Sequence, residues 1–171
     1  FPDDGLRHEL IDGEHYVTPS PNARHQDLVV RLTLGIGNWV EQTQSGKLYV
    51  APFDVVFSEI DVVEPDLLYM SRARADAILK QANVQGAPEL VVEIGSPGTR
   101  RRDETTKRAL YERAGVSEYW VVDPELDVIR VSRRDGQRSA RPHELSSEAG
   151  DVLTTPLLPG LELALSDIFR L

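Results

Sequence analysis

The chain has 171 residues, 40% of them hydrophobic, no cysteine and a formal net charge of -9. That length fits one domain, residues 1–171, with a sizeable core, and no apolar stretch approaches the ~20 residues of a membrane span. The missing cysteines exclude disulfides and thiolate metal sites and suit a reducing cytoplasm, while the acidity speaks against a surface that grips nucleic acid throughout, though not against a local basic cleft.

From the N-terminus, no basic and apolar leader is visible, though a chain opening on Phe1 rather than Met leaves that question open. Residues 6–18 alternate on either side of Asp12-Gly13, a pair that accepts the positive φ of a tight turn, and so predict a β-hairpin. Ser20-Pro21-Asn22 marks a helix start. Leu28, Leu32, Ile36, Trp39 and Val40 then recur at helical spacing, and Gly46 is expected to end the helix. Gly35 and Gly37 inside it either weaken the helix or mark a close backbone approach. Residues 47–58 and 62–70 read as strands joined by Glu59-Ile60-Asp61.

A short helix over about 71–80 and a Gly-Ala-Pro loop lead into a buried strand at 89–94. The segment from Thr99 to Ala114 reads as a helix closed by Gly115, and 118–123 as another strand. Residues 127–145 alternate around Asp135-Gly136 as a second hairpin, and the tail ends in a short amphipathic stretch, 166–171. Strands flanked by one long early helix and one later helix predict an α/β fold built on a mixed sheet.

Four acids interrupt the predicted strands: Glu14 just past the first turn, Asp54, Asp66 after Pro65, and Glu93 after Leu90-Val91-Val92. A buried carboxylate without a partner is costly, so Glu93 needs a salt bridge or a metal, unless the strand has already surfaced. Alternation puts Asp66 on the face of Leu68 and Met70, and Glu93 on the face of Val91. Taken singly, each acid reads as a solvated or salt-bridged side chain. If neighbouring strands bring them together, their repulsion favours a cation, and Mg²⁺ or Mn²⁺ held by one or two carboxylates and waters is the fitting occupant.

The helix after Glu93 carries the candidate cations. Asp103, Lys107, Leu110, Tyr111 and Ala114 share one face, which sets Lys107 on or beside the buried side. Either Lys107 makes an exposed i,i+4 pair with Asp103, worth only ~0.3–0.5 kcal/mol, or it reaches over the strand end to Glu93. Arg100, Arg101 and Arg102 open the helix as a solvated patch or as contacts to a polyanion. His25, in the first turn of the long helix, could be a general base, a metal ligand, a phosphate contact or simply a capping residue. Ser96 lacks the Gly-x-Ser-x-Gly setting of a nucleophile elbow, and no phosphate-cradling glycine loop is present.

The blocks HELIDGEHYVTPSPNARHQ, VAPFDVVFS, VVEPDLLYM, GAPELVVEIGSPGTRRRDETTKRALYERAGVSEYWVVDP and PLLPGLEL, in this order, closely resemble the Uma-type restriction endonuclease family of the PD-(D/E)XK nuclease superfamily. The resemblance covers nearly the whole chain and implies a restriction-endonuclease-like core, a mixed β-sheet flanked by helices, with added β-hairpins. It implies that Pro65-Asp66 is the "PD" element and Glu93 the following acid, together holding Mg²⁺ or Mn²⁺ with the main-chain carbonyl of Ile94. The lysine that such proteins carry two positions after the acid is replaced by Gly95. Similar families bring a basic group from a neighbouring helix, which here points to Lys107 with Asp103 beside it, and Glu14 and His25 to an outer ring. The implied activity is hydrolysis of DNA phosphodiester bonds by a homodimer, with the arginines at 100–102 on flanking phosphates. The alternative is a catalytically weak or inactive protein that keeps the fold as a nucleic-acid-binding or interaction module.

Overall fold

The computed structural model describes residues 4–170. β1 (Arg7–Ile11) and β2 (Glu14–Thr18) form the predicted hairpin, with Asp12 at φ 53° and Gly13 at φ 78° making its turn. Asn22 caps α1 (Ala23–Thr43) by accepting the His25 backbone N–H, and Leu28, Leu32, Ile36 and Val40 form its buried stripe. The helix ends at left-handed Gln44 and not at Gly46, which is instead the first residue of β3 (Gly46–Val50). Glycine is required there for space: a Cβ would lie 2.0 Å from the Met70 carbonyl oxygen on the neighbouring strand.

Neither 47–58 nor 62–70 is one strand. β3 pairs with β6 (Leu67–Ser71) in one sheet, whereas β4 (Asp54–Ser58) pairs with β5 (Asp61–Val63) in another. The breaks contain Pro52 and Pro65, residues that cannot donate to a ladder, and there the chain crosses between sheets. After α2 (Arg72–Ile78) comes β7 (Asn83–Gln85), inside the expected loop; a 3-residue strand with one apolar side chain carries no periodic signal.

β8 (Leu90–Ile94) precedes a helical rod made of α3 (Arg100–Arg102), a π-helical turn (Asp103–Lys107) and α4 (Arg108–Ala114), closed by left-handed Gly115. β9 (Glu118–Asp123) and β10 (Val128–Asp135) follow. The return limb of the second hairpin is divided into β11 (Arg138–Ser139) and β12 (His143–Ser146), both paired with β10. β13 (Val152–Leu153), β14 (Leu163–Ala164) and α5 (Leu165–Phe169) complete the tail; Leu171, the end of the predicted amphipathic stretch, lies outside the described residues.

The larger sheet runs β11-β10-β9-β8-β6-β3, with β12 also on β10, and its β8–β9 pair is parallel. A 5-stranded sheet runs β2-β1-β5-β4-β7. α1 and the tail cover one face of the larger sheet, where Leu28, Leu32 and Ile36 meet Leu67, Val92, Trp120, Leu163 and Phe169. Burying each such side chain contributes roughly 1.5–3 kcal/mol. Gly35 marks a close approach, since a Cβ there would sit 2.7 Å from Leu163 Cδ2. On the other face, Leu68, Val91 and Tyr119 pack with Leu110 and Tyr111 of α4 and with Ile11, Val55 and Val63 of the smaller sheet. β8 is therefore buried on both faces, which explains its unbroken apolar run and the cost of placing Glu93 at its end. Among the described residues, no helix is long and apolar enough to cross a membrane.

Candidate active site

Asp66 and Glu93 come together through strand register. β6 and β8 are antiparallel with Leu67 opposite Val92, so one step further on Asp66 stands opposite Glu93, on the face shared by Leu68 and Val91. Both are buried, at 2% and 3% exposure. Asp66 Oδ1 accepts from an Arg7 guanidinium N–H at 2.8 Å, and Oδ2 accepts from the Ile94 backbone N–H at 2.7 Å and lies 3.2 Å from His25 Nε2. Glu93 Oε1 accepts from Lys107 Nζ at 2.9 Å and from the Tyr111 hydroxyl at 2.6 Å.

The two facing acids are driven in opposite directions. Burial works to raise the Asp66 carboxyl, but the hydrogen bond from His25, the charges of Arg7 and His25 and the Ile94 N–H outweigh it and hold it at about 2. For Glu93, burial dominates; Lys107 pulls the other way, but the carboxylates of Asp66, Asp103 and Glu9 add to the rise, and the group is pushed up to about 8. Asp103 rises to about 6, again through burial, against the pull of Lys107, Thr99 and Arg102. Burial disfavours the Lys107 ammonium, yet Glu93, Glu9 and Asp103 lift it above its ordinary value, so it stays charged.

Lys107 is buried in the π-helical turn and bridges Glu93 and Glu9, whose Oε1 lies 2.7 Å away. The exposed Asp103–Lys107 pair therefore does not occur: both side chains are buried at 2% exposure. Extra residues in a π-type turn are frequent at functional sites. His25 reaches Asp66 from the capped end of α1, and its Nδ1 is buried without a hydrogen-bond partner among the described residues.

Asp66, Glu93, Ile94, His25, Asp103, Lys107 and Arg102 all line one cleft of about 380 Å³. Four other candidate residues lie elsewhere. Glu14 is exposed on β2, where its carboxylate accepts from the Tyr16 hydroxyl at 2.7 Å, and it does not line the cleft. Arg100 is spent on Asp123, Glu104 and Glu125, and Arg101 is exposed outside the cleft. Arg102 alone of the three arginines enters the cleft, its guanidinium 4.9 Å over the Tyr16 ring and donating to Thr18 Oγ1 at 3.0 Å. Asp54, on β4 of the smaller sheet, is likewise not in the cleft lining.

Sequence reasoning missed Glu9, Arg7 and Tyr111. Glu9 lies two residues before buried Ile11, and Arg7 two before that, so strand alternation alone could have assigned both to the inward face. Tyr111 was legible as a face residue of the helix but not as a donor to Glu93.

The donor set is two buried carboxylates open to a cleft, which suits a hard divalent ion completed by waters and phosphate oxygens. Among the described residues, no group of three or more His, Asp or Glu side chains is placed to hold a metal ion, so an ion here would draw on two carboxylates and on ligands other than side chains. Burial pushes Glu93 up to about 8, the carboxylates of Asp66, Asp103 and Glu9 add to the rise, and a cation would relieve that added repulsion.

Comparison with solved structures finds a similar fold in a chain described as "a putative nuclease belonging to DUF820" from Anabaena variabilis. The TM-score is 0.83 at 18% identity, over 99% of this chain and 93% of that one. No curated protein matches the chain. A family model described as "Putative restriction endonuclease" matches residues 1–166, and with that span covered the chain belongs to the Uma2 family.

Proposed function

We propose that this protein is a Mg²⁺- or Mn²⁺-dependent endonuclease that hydrolyses DNA phosphodiester bonds. The observation that carries this reading is the facing pair Asp66–Glu93 on the cleft wall with the Lys107 ammonium 2.9 Å from Glu93. Asp66, Glu93 and the Ile94 carbonyl would hold the ion, which when bound lowers the pKa of a water and offsets charge on the phosphate. Lys107, held charged by its carboxylate partners, is no general base; it is a fixed positive charge suited to orienting water and to stabilising negative charge as it develops on phosphate oxygens. Arg102, steadied by Tyr16 and Thr18, supplies a guanidinium for the phosphate backbone, and Arg7 and His25 fix the Asp66 carboxylate. A homodimer would carry two such sites, one for each strand of a duplex.

The test is cleavage of supercoiled plasmid, duplex oligonucleotides and RNA in Mg²⁺ or Mn²⁺, with Asp66→Asn and Glu93→Gln alongside the parent. Loss of cleavage by about 10²-fold or more in each variant is expected, as for removal of a group that acts on the transition state. If both variants cleave as the parent does, the site is wrong; if RNA alone is cut, the substrate is wrong.

Two observations favour a second reading, binding without efficient cleavage. Both Asp66 oxygens already accept from Arg7, Ile94 or His25, and the strand lysine is replaced by Gly95. Calorimetric titration separates the two: divalent-ion binding that disappears in Glu93→Ala supports the enzyme, and its absence in the parent supports the module.

A further inference from the structure

Glu9 is fully buried and is not part of the cleft lining, so it does not meet a substrate. Its Oε1 accepts from Lys107 Nζ at 2.7 Å and from the Glu64 backbone N–H at 3.1 Å. Its Oε2 has no hydrogen-bond partner among the described residues and lies 3.7 Å from the Arg102 guanidinium. Glu64 leads directly into Pro65-Asp66. One carboxylate of the first hairpin therefore ties together the segment that delivers Asp66 and the helix that delivers Lys107 and Arg102.

We propose that Glu9 is a positioning residue that pins the Lys107 ammonium against Glu93, and so sets where the fixed positive charge of the cleft lies. A lysine on a helix carries a flexible four-carbon stem and three rotatable donors, so a single acceptor leaves its head free to swing. Glu93 Oε1 is also shared with the Tyr111 hydroxyl, which weakens its hold on any one donor. A second acceptor at 2.7 Å, rigid because the Glu64 N–H holds it in turn, removes that freedom. The contact stands by itself; its consequence for turnover rests on the nuclease reading.

The chain offers a direct probe, because Lys47 and Lys80 are exposed and Lys107 is its remaining lysine. In protein labelled with ¹⁵N at lysine Nζ, a slowly exchanging ammonium signal is expected near neutral pH, absent in Lys107→Met. In Glu9→Gln that signal should exchange at least about 10-fold faster, and kcat for DNA cleavage should fall by about 10²-fold with KM little changed, the cost of a misplaced charge. Unchanged protection in a folded Glu9→Gln overturns the proposal, and so does lost protection with unchanged kcat. If the parent cuts no DNA, the nuclease reading fails while the exchange data still decide whether Glu9 holds Lys107. If Glu9→Gln does not fold, adding Lys107→Met should restore folding by removing the stranded charge; a double variant no more stable than Glu9→Gln overturns the pairing.

Discussion

Asp66 and Glu93 face each other across β6 and β8, yet one is held as an anion at about 2 and the other is pushed up to about 8. The difference lies in their partners: Asp66 receives Arg7, His25 and a backbone N–H, while Glu93 shares a single ammonium with Glu9.

This asymmetry gives the ion-free protein a defined pH profile. Glu93, ordinarily near 4.5, keeps its proton when folded and loses it when unfolded, so its contribution to stability falls as pH rises from about 4.5 to about 8. Asp103 acts in the same direction from 3.8 to about 6, whereas the contribution of Asp66 is present above 3.8 and is lost as pH falls towards about 2. Urea unfolding without divalent ions should show stability declining between pH 6 and 8, by at most about 1.4 kcal/mol per pH unit for one proton. Glu93→Gln should flatten that slope, and a flat profile in the parent would refute the protonated Glu93.

Binding of Mg²⁺ should then expel the Glu93 proton, because a carboxylate must be ionised to ligate. Calorimetry at pH 7 in buffers of different ionisation enthalpy should report release of close to one proton per ion. Equal apparent enthalpies in all buffers would contradict this.

Arg100 and Arg102 should behave differently although they are two residues apart. Arg102→Ala should weaken DNA binding and reduce the salt slope by about one. Arg100→Ala, which breaks contacts to Asp123, Glu104 and Glu125, should lower thermal stability and leave the salt slope alone. A salt slope altered only by Arg100→Ala would reverse this division.

Two glycines should respond in opposite ways to alanine. Gly46→Ala forces a Cβ to 2.0 Å from a backbone oxygen of β6 and should cost about 3 kcal/mol or more through overpacking against an immobile strand. Gly37→Ala meets Leu48 Cδ2 at an ordinary 3.5 Å and should stabilise α1 by up to about 1 kcal/mol. Chemical unfolding of both variants decides the matter.

Much of the fold was legible because it rests on local rules. Asp12-Gly13 specifies a turn and so does Gly136, which with Gln137 follows Asp135 at the end of β10; the Leu28–Val40 stripe specifies a helix, all through backbone preferences that need no distant partner. The division of 47–58 and 62–70 between two sheets was not read, although Pro52 and Pro65 marked the break points. A proline announces that a ladder stops, but not which sheet the next strand will join. The π-helical turn at Asp103–Lys107 left no signature in the spacing of apolar residues.

By itself, then, the sequence determined that Asp66 shares a face with Leu68 and Met70, and Glu93 one with Val91, since side-chain alternation is a property of the extended backbone; the register of β6 on β8 made those two faces one. The sequence also determined that Lys107 lies near the buried side of its helix. Only the tertiary structure decided that Glu9 and not Glu14 enters the site, that Arg102 parts from Arg100, and that Lys107 bridges carboxylates 14 and 98 residues away. Those outcomes depend on how strands from two sheets and a helix converge, a matter of long-range packing that no local spacing encodes.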